Sequence, residues 1–301
     1  MFKKKEQIPF TNFYKKMNYL SFLLIILSLL VLFFKGLNLG VDFKGGTLIE
    51  VRSDDENISV SDLRKSLLKM NLGDVNVKKF GKEKDYLVKI EANKVGEADF
   101  IKNINNKLNL DLQSEINFRR VENVGPKVSN ELFQSGMIAI TLSLAAMLIY
   151  IWIRFEWQFS VAAIFALVHD VIITVGLFSF LSYEVNLSIV AAVLTIVGYS
   201  MNDTVVIFDR VRENLKKYSK ISISEISNIS TNETLSRTVI TSITTLLALF
   251  SIYIFGGAIL KGFSFAMIIG VIVGTFSSIF VAVPILKYTK VNQKTISKED
   301  S

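Results

Sequence analysis

The sequence predicts a polytopic α-helical membrane protein with six transmembrane helices and a ferredoxin-like α+β extracytoplasmic domain between helices 1 and 2. Three observations predict it. Half of the 301 residues are hydrophobic, 23 of them Phe, so the chain exposes apolar surface that lipid must cover. Six apolar stretches are each long enough to cross roughly 30 Å of hydrocarbon as helices. Between the first two lies a polar segment with the alternating and helical patterns of a folded domain.

In chain order, residues 1–16 form a cytoplasmic tail and 17–36 the first helix. Residues 37–131 form the outer domain, 132–286 the remaining five helices, and 287–301 a second cytoplasmic tail. Within 132–286 the spans are expected at 132–153, 159–181, 187–208, 237–255 and 263–286. Lys3, Lys4 and Lys5 before the first span resemble the start of a secretory signal. Its long apolar run ends at Phe33-Phe34-Lys35, which offers no small-residue cleavage site, so it reads as an uncleaved anchor. Orientation follows from the short loops. Arg154, then Arg210, Arg212, Lys216, Lys217 and Lys220, then Lys287, Lys290, Lys294 and Lys298 share the side of the N-terminal lysines. The opposite short turns carry only Lys261. By the positive-inside rule both termini of this multi-pass protein are expected to face the cytoplasm.

The outer domain has its own order. Residues 47–52 alternate as a strand, and Ser59 with Asp62 forms a capping box before a helix bearing Leu63, Leu67 and Leu68. Strands follow at 74–80 and 86–91 around the polar turn 81–85. A helix at 97–110 and a strand at 112–121 complete the βαββαβ order of a ferredoxin-like sandwich. Gly45-Gly46, beside the first strand, reads as a tight turn.

Composition excludes several chemistries. With no Cys and a single His there is no thiolate nucleophile, disulfide or imidazole-rich metal centre. No phosphate loop, triad or cofactor motif is present, so neither a cofactor nor enzymatic chemistry is expected. Residues 35–131 hold 17 basic and 16 acidic groups, so the net charge of +7 sits in tails and one loop. That distribution follows membrane topology, and no nucleic-acid partner is expected.

Polar residues inside the spans carry the functional expectation. Asp203 lies five residues before the expected end of the fourth span, roughly 8 Å deep. A carboxylate near a helix centre costs about 2.5–3.5 kcal/mol, so a carboxyl there either carries protons or is held in a static pair. Tyr199, Ser200, Asn202 and Thr204 make the same turns polar, and Gly198 leaves room for water or a neighbour. The fifth span brings Arg237, Thr238, Thr241, Ser242, Thr244 and Thr245 to that depth from the opposite direction. Arg237 is thus a switchable partner of Asp203 or an interfacial cation beside a packing seam. His169 and Asp170 sit near mid-membrane as a proton relay or as structural hydrogen bonders. Being adjacent, they point about 100° apart and do not easily pair with each other. In the sixth span Ala266, Gly270, Gly274, Ser278 and Ala282 form a small-residue ridge for close contact with another helix. Ile223, Ile226 and Ile229 suggest a short helix lying on the membrane surface.

These residues resemble the SecD/SecF family of preprotein-translocase subunits. The resemblance runs through Gly40-Val41-Asp42-Phe43-Lys44-Gly45-Gly46-Thr47, Val124-Gly125-Pro126, Arg154-Phe155-Glu156-Trp157 and His169-Asp170. Its most specific stretch is Gly198 to Arg210, G-Y-S-M-N-D-T-V-V-I-F-D-R, supported by Leu235-Ser236-Arg237-Thr238 and Phe255-Gly256-Gly257. It covers nearly the whole chain. Ser129 stands where Gly is expected, and Ala258 where a polar residue or Pro is commoner. The resemblance implies half of a resistance-nodulation-division-type transporter, with SecD supplying the other half. It implies proton flow coupled to late steps of preprotein export through the SecYEG channel, after SecA has acted, with YajC and YidC as indirect partners beside membrane lipid. Asp203 then matches the proton-carrying carboxylate and Arg237 its gating arginine, and the outer domain handles the emerging chain. Two other functions share the pattern: half of a proton-coupled small-molecule or lipid exporter, and a purely structural membrane subunit.

Overall fold

The computed structural model describes residues 7–55, 57–81, 84–91, 98–218 and 221–293. The expectations for Lys3, Lys4, Lys5, Lys82, Glu83, Glu97, Lys220, Lys294 and Lys298, and for the side chain of Ala258, lie outside them. Two compact units result: residues 39–137 with 184–187, and the rest of the chain.

In the membrane unit, α1 (Phe10–Lys35) is the first span. The second is α5 (Pro126–Arg154), the third α6 (Trp157–Leu181), the fourth α7 (Leu187–Lys217) and the fifth α8 (Ile223–Phe255). The sixth begins as α9 (Gly257–Ser277), widens to one π-turn over Ser278–Ala282, and ends as α10 (Val283–Tyr288). Pro284 accounts for the widening, because its ring displaces the carbonyl four residues earlier and it has no N–H to donate. All six are long and apolar enough to cross a membrane.

All six spans extend beyond the expected bounds at one end or both, since helical hydrogen bonding does not stop where apolar residues do. α7 continues nine residues past the expected Phe208, to Lys217. The short surface helix expected around Ile223, Ile226 and Ile229 is instead the opening of α8, capped by Ser222. Ion pairs hold these extensions. Arg154 meets Asp209 at 3.2 Å, Arg212 meets Glu156 at 3.4 Å, and Arg210 meets Glu233 at 2.6 Å. Asn214 donates to Ser230 Oγ at 3.0 Å. The small-residue ridge packs against the chain's own fourth span. A Cβ on Gly270 would strike Ile196, and one on Gly274 would stand 2.9 Å from Ser200.

The second unit starts with the two-residue strand β1 (Asn38–Leu39), shared with the first unit, and the single turn α2 (Val41–Lys44). There follow β2 (Gly46–Ser53), α3 (Val60–Leu68), β3 (Val75–Lys79), β4 (Asp85–Ile90), α4 (Ala98–Leu112) and β5 (Ile116–Val124). The sheet order β3-β4-β2-β5, antiparallel throughout, is that of a ferredoxin-like sandwich. Leu63 and Leu67 of α3 and Ile104 and Leu108 of α4 pack on the strand face carrying Ile49, Val51, Val88 and Ile90. The Ser59–Asp62 capping box is present. The last strand begins four residues later than expected, at Ile116. α4 runs through Leu112, ends at Gln113 with φ +49°, and Asn109 accepts the Ile116 amide proton at 2.8 Å. A final two-residue strand, β6 (Glu184–Val185), pairs with β1.

Candidate functional site

Two carboxylates are buried in the membrane unit, in opposite circumstances. Asp170, on α6, is 0 % exposed. Its Oδ2 accepts hydrogen bonds from Ser200 of α7 at 2.6 Å and Ser277 of α9 at 2.7 Å. Its Oδ1 lies 2.8 Å from Nδ1 of the preceding His169. The expectation that these neighbours do not pair is thus corrected. Side-chain torsions close the 100° between adjacent helical positions, and the His169 ring lies parallel to Phe276, 6.3 Å away. One carboxylate so ties the third, fourth and sixth spans together, as a buried anion requires.

Asp203 is 3 % exposed, and its Oδ2 accepts no hydrogen bond among the described residues. It stands three residues beyond Ser200 on α7, so the two carboxylates address the same helix less than one turn apart. Gly198, one turn before Asn202, faces open space. Arg237 is exposed and makes no ion pair with Asp203 within 4 Å among the described residues. Thr238, next to it, is buried with its hydroxyl unpartnered among those residues.

The remaining expected site residues divide. The Tyr199 hydroxyl donates to Thr245 Oγ1 at 3.4 Å, linking α7 to α8. Thr204, Thr241 and Thr245 donate to carbonyls of their own helices, at Ser200, Arg237 and Thr241. Their hydroxyls are thereby satisfied inside an apolar bundle. Asn202 is exposed and takes no part in the cluster. Ser277 was not foreseen. The only trace it leaves in the sequence is a Ser pair, Ser277-Ser278, interrupting an apolar span.

No group of three His, Asp or Glu side chains among the described residues gathers as a metal site. In the second unit, Gly45 and Gly46 have φ of +77° and +113°. A Cβ on Gly46 would come too close to the Ile90 carbonyl, so β4 passes directly over this turn. Ser129, where Gly is expected, is buried and donates to the Gly125 carbonyl at 3.1 Å.

Residues 104–292 match the family described as "Protein export membrane protein SecD/SecF, C-terminal", and residues 30–56 match the "SecD/SecF GG Motif". The chain belongs to the SecD/SecF family. The first match contains Asp170, Asp203 and Arg237, and the second contains the Gly45-Gly46 turn. The "Protein translocase subunit SecF" of Rickettsia rickettsii is 43 % identical, aligned over 98 % of this chain and 96 % of that one. The subunit of the same name from Calditerrivibrio nitroreducens is also 43 % identical, over 94 % of each chain. Among solved structures, SecDF from Thermus thermophilus, a translocon-associated membrane protein, superposes with a TM-score of 0.87 at 34 % identity over 96 % of this chain. SecDF in a super-membrane-facing form superposes with a TM-score of 0.71 at 32 % identity. The present chain spans about two fifths of either SecDF chain, 40 % and 41 %.

Proposed function

We propose that this chain is the proton-coupled subunit of a bacterial protein-export complex, in which Asp203 takes up and releases the proton and Arg237 gates it. The carrying observation is the contrast at the core of the membrane unit. Asp170 is fully occupied by donors from three spans, whereas Asp203, equally buried, has an oxygen with no donor. A buried carboxylate without a partner is costly when charged. It is relieved by protonation, or by the approach of a cation, and in this reading Arg237 of the neighbouring fifth span is that cation. That arrangement leaves both states of Asp203 open, as proton carriage requires.

In this reading the chain works in a complex with SecD, a partner supported by its likeness to the SecDF structures, of which it spans about two fifths. It lies in the inner membrane with both termini cytoplasmic. The ferredoxin-like unit is periplasmic and acts on the preprotein leaving the SecYEG channel after SecA has pushed it, with YajC and YidC as indirect partners. The chain makes and breaks no covalent bonds. One proton crossing 100 mV releases about 2.3 kcal/mol, enough to shift a two-state equilibrium about fiftyfold. The test is Asp203→Asn in the full complex, with export followed in vesicles with and without a proton gradient. The expected outcome is assembly at normal levels with loss of the gradient-dependent step. Export that still responds fully to the gradient would sink the proposal.

A further inference from the structure

The proton site leaves one built cavity of the membrane unit unused. At the end of the bundle that carries the chain termini, a cavity of about 650 Å³ opens between α1, the first turns of α8, and α10. That volume falls in the range of small-molecule sites. One face of α1 forms its long wall, with Lys15, Asn18 and Phe22 at helical spacing. Polarity therefore falls along this wall, from a cation through an amide to an apolar ring, over about 10 Å. Lys287 and Pro284 of α10 repeat the gradient on the opposite wall, and Ser224 and Ser227 of α8 add two hydroxyls.

Among the described residues no carboxylate lines the cavity. Among the described residues neither Lys15 nor Lys287 makes an ion pair. Two ammonium groups from opposite ends of the sequence thus face one volume with no anion between them among the described residues. Phe22, at the apolar end, is 63 % exposed on a spanning helix, so the cavity runs out into the hydrocarbon. A soluble anion would satisfy the lysines and leave the apolar half empty. An amphipathic anion fills both.

We propose that this cavity binds an anionic phospholipid, with its phosphate between Lys15 and Lys287, its glycerol region against Asn18, Ser224 and Ser227, and an acyl chain along Phe22 and Pro284. Basic pockets between spanning helices recognise lipid headgroups by this chemistry. The proposal is independent of proton coupling, since no lining residue belongs to the Asp170 or Asp203 clusters.

The test is native mass spectrometry of the purified full chain with dioleoylphosphatidylglycerol, dioleoylphosphatidylcholine, or inorganic phosphate. The expected result is preferential retention of phosphatidylglycerol. Lys15→Gln and Lys287→Gln should each weaken it about fivefold, from about 1 kcal/mol per lysine, and together about twenty-five-fold. Lys16→Gln, on the same helix but outside the cavity, should change it less than twofold. Equal retention of the two lipids, or an effect of Lys16→Gln as large as that of Lys15→Gln, would overturn the proposal. So would displacement of phosphatidylglycerol by equimolar inorganic phosphate, which would mark a free-anion site.

Discussion

Asp170 and Asp203 sit on consecutive helices, Asp170 bonded to Ser200 three residues before Asp203, and both are almost completely removed from solvent. One is saturated with hydrogen bonds from two other spans and the preceding histidine, and the other has an oxygen that accepts none among the described residues. Burial alone therefore does not distinguish the two carboxylates. The separation lies in whether the protein has already supplied the partners. A satisfied anion is locked, because moving it breaks several strong bonds at once. An unsatisfied one is free to exchange a proton or a cation at little structural cost.

The largest way to break this comparison is to remove the anchor. Asp170→Ala leaves Ser200, Ser277 and His169 without their shared acceptor and opens a void among three spans. A loss of about 3–5 kcal/mol is expected, read as a lowered midpoint of thermal or detergent unfolding followed by tryptophan fluorescence. The second test is the converse. Asp203→Asn should leave that midpoint within about 1 kcal/mol of the parent and remove the gradient-dependent part of export, up to about fiftyfold per proton. If Asp203→Asn destabilises as much as Asp170→Ala, then both groups are structural and the comparison collapses.

Intermediate effects come from the contacts that place Ser200. Gly270→Val forces a side chain into Ile196, one turn from Ser200, and over-packing of this kind costs about 1–3 kcal/mol. It should lower the bundle midpoint and weaken the protection of α7 amides from exchange. In the second unit, Gly46→Ala combines φ of +113° with a clash on the Ile90 carbonyl, at a cost of about 1–3 kcal/mol. Its effect should appear in amide exchange of β2 and β4 and leave α6 and α7 unchanged. That would confirm that the two units carry their stability separately.

Much of this was legible in the sequence, for physical reasons. Lipid imposes long apolar helices, and a half-buried sheet imposes alternation, so six spans and the βαββαβ order could be read directly. Asp203 and Asp170 stood out because charge in an apolar run is costly. The Asp170 donors were not legible. Ser277 sits three residues from Gly274 in a span read only for small-residue packing, and long-range hydrogen bonds leave no periodicity. The pairing of His169 with Asp170 is not legible either, because helical position fixes the backbone direction of a residue and not its side-chain torsions. The polar helix ends are hidden from hydropathy because ion pairs such as Arg210–Glu233 join residues far apart in sequence and hold turns that hydropathy assigns to loops.

The smallest effect contrasts exposed carboxylates with these buried ones. In the second unit, Asp62 accepts from the Ser59 hydroxyl at 2.6 Å and the Ser59 amide at 3.2 Å, and these bonds hold its carboxyl below the usual value of 3.8. Asp111 is lowered in the same way, first by the Ser66 hydroxyl at 2.9 Å and then by Lys69. A carboxyl whose pKa is lower folded than unfolded favours folding above the unfolded value. That contribution is lost as pH falls through the depressed folded value. Protection of α3 amides, corrected for intrinsic exchange, should therefore hold at about pH 5 and decline as pH drops below the ordinary Asp range near 3.9. Asp62→Asn cannot titrate, so it should begin with weaker protection of α3 and show a shallower decline. Because Asp62 is solvent-exposed, water screens both effects, and α6 amides serve as the internal reference. An α3 profile that ignores pH, or that follows α6 throughout, would show that the capping box is ornamental to the domain's stability.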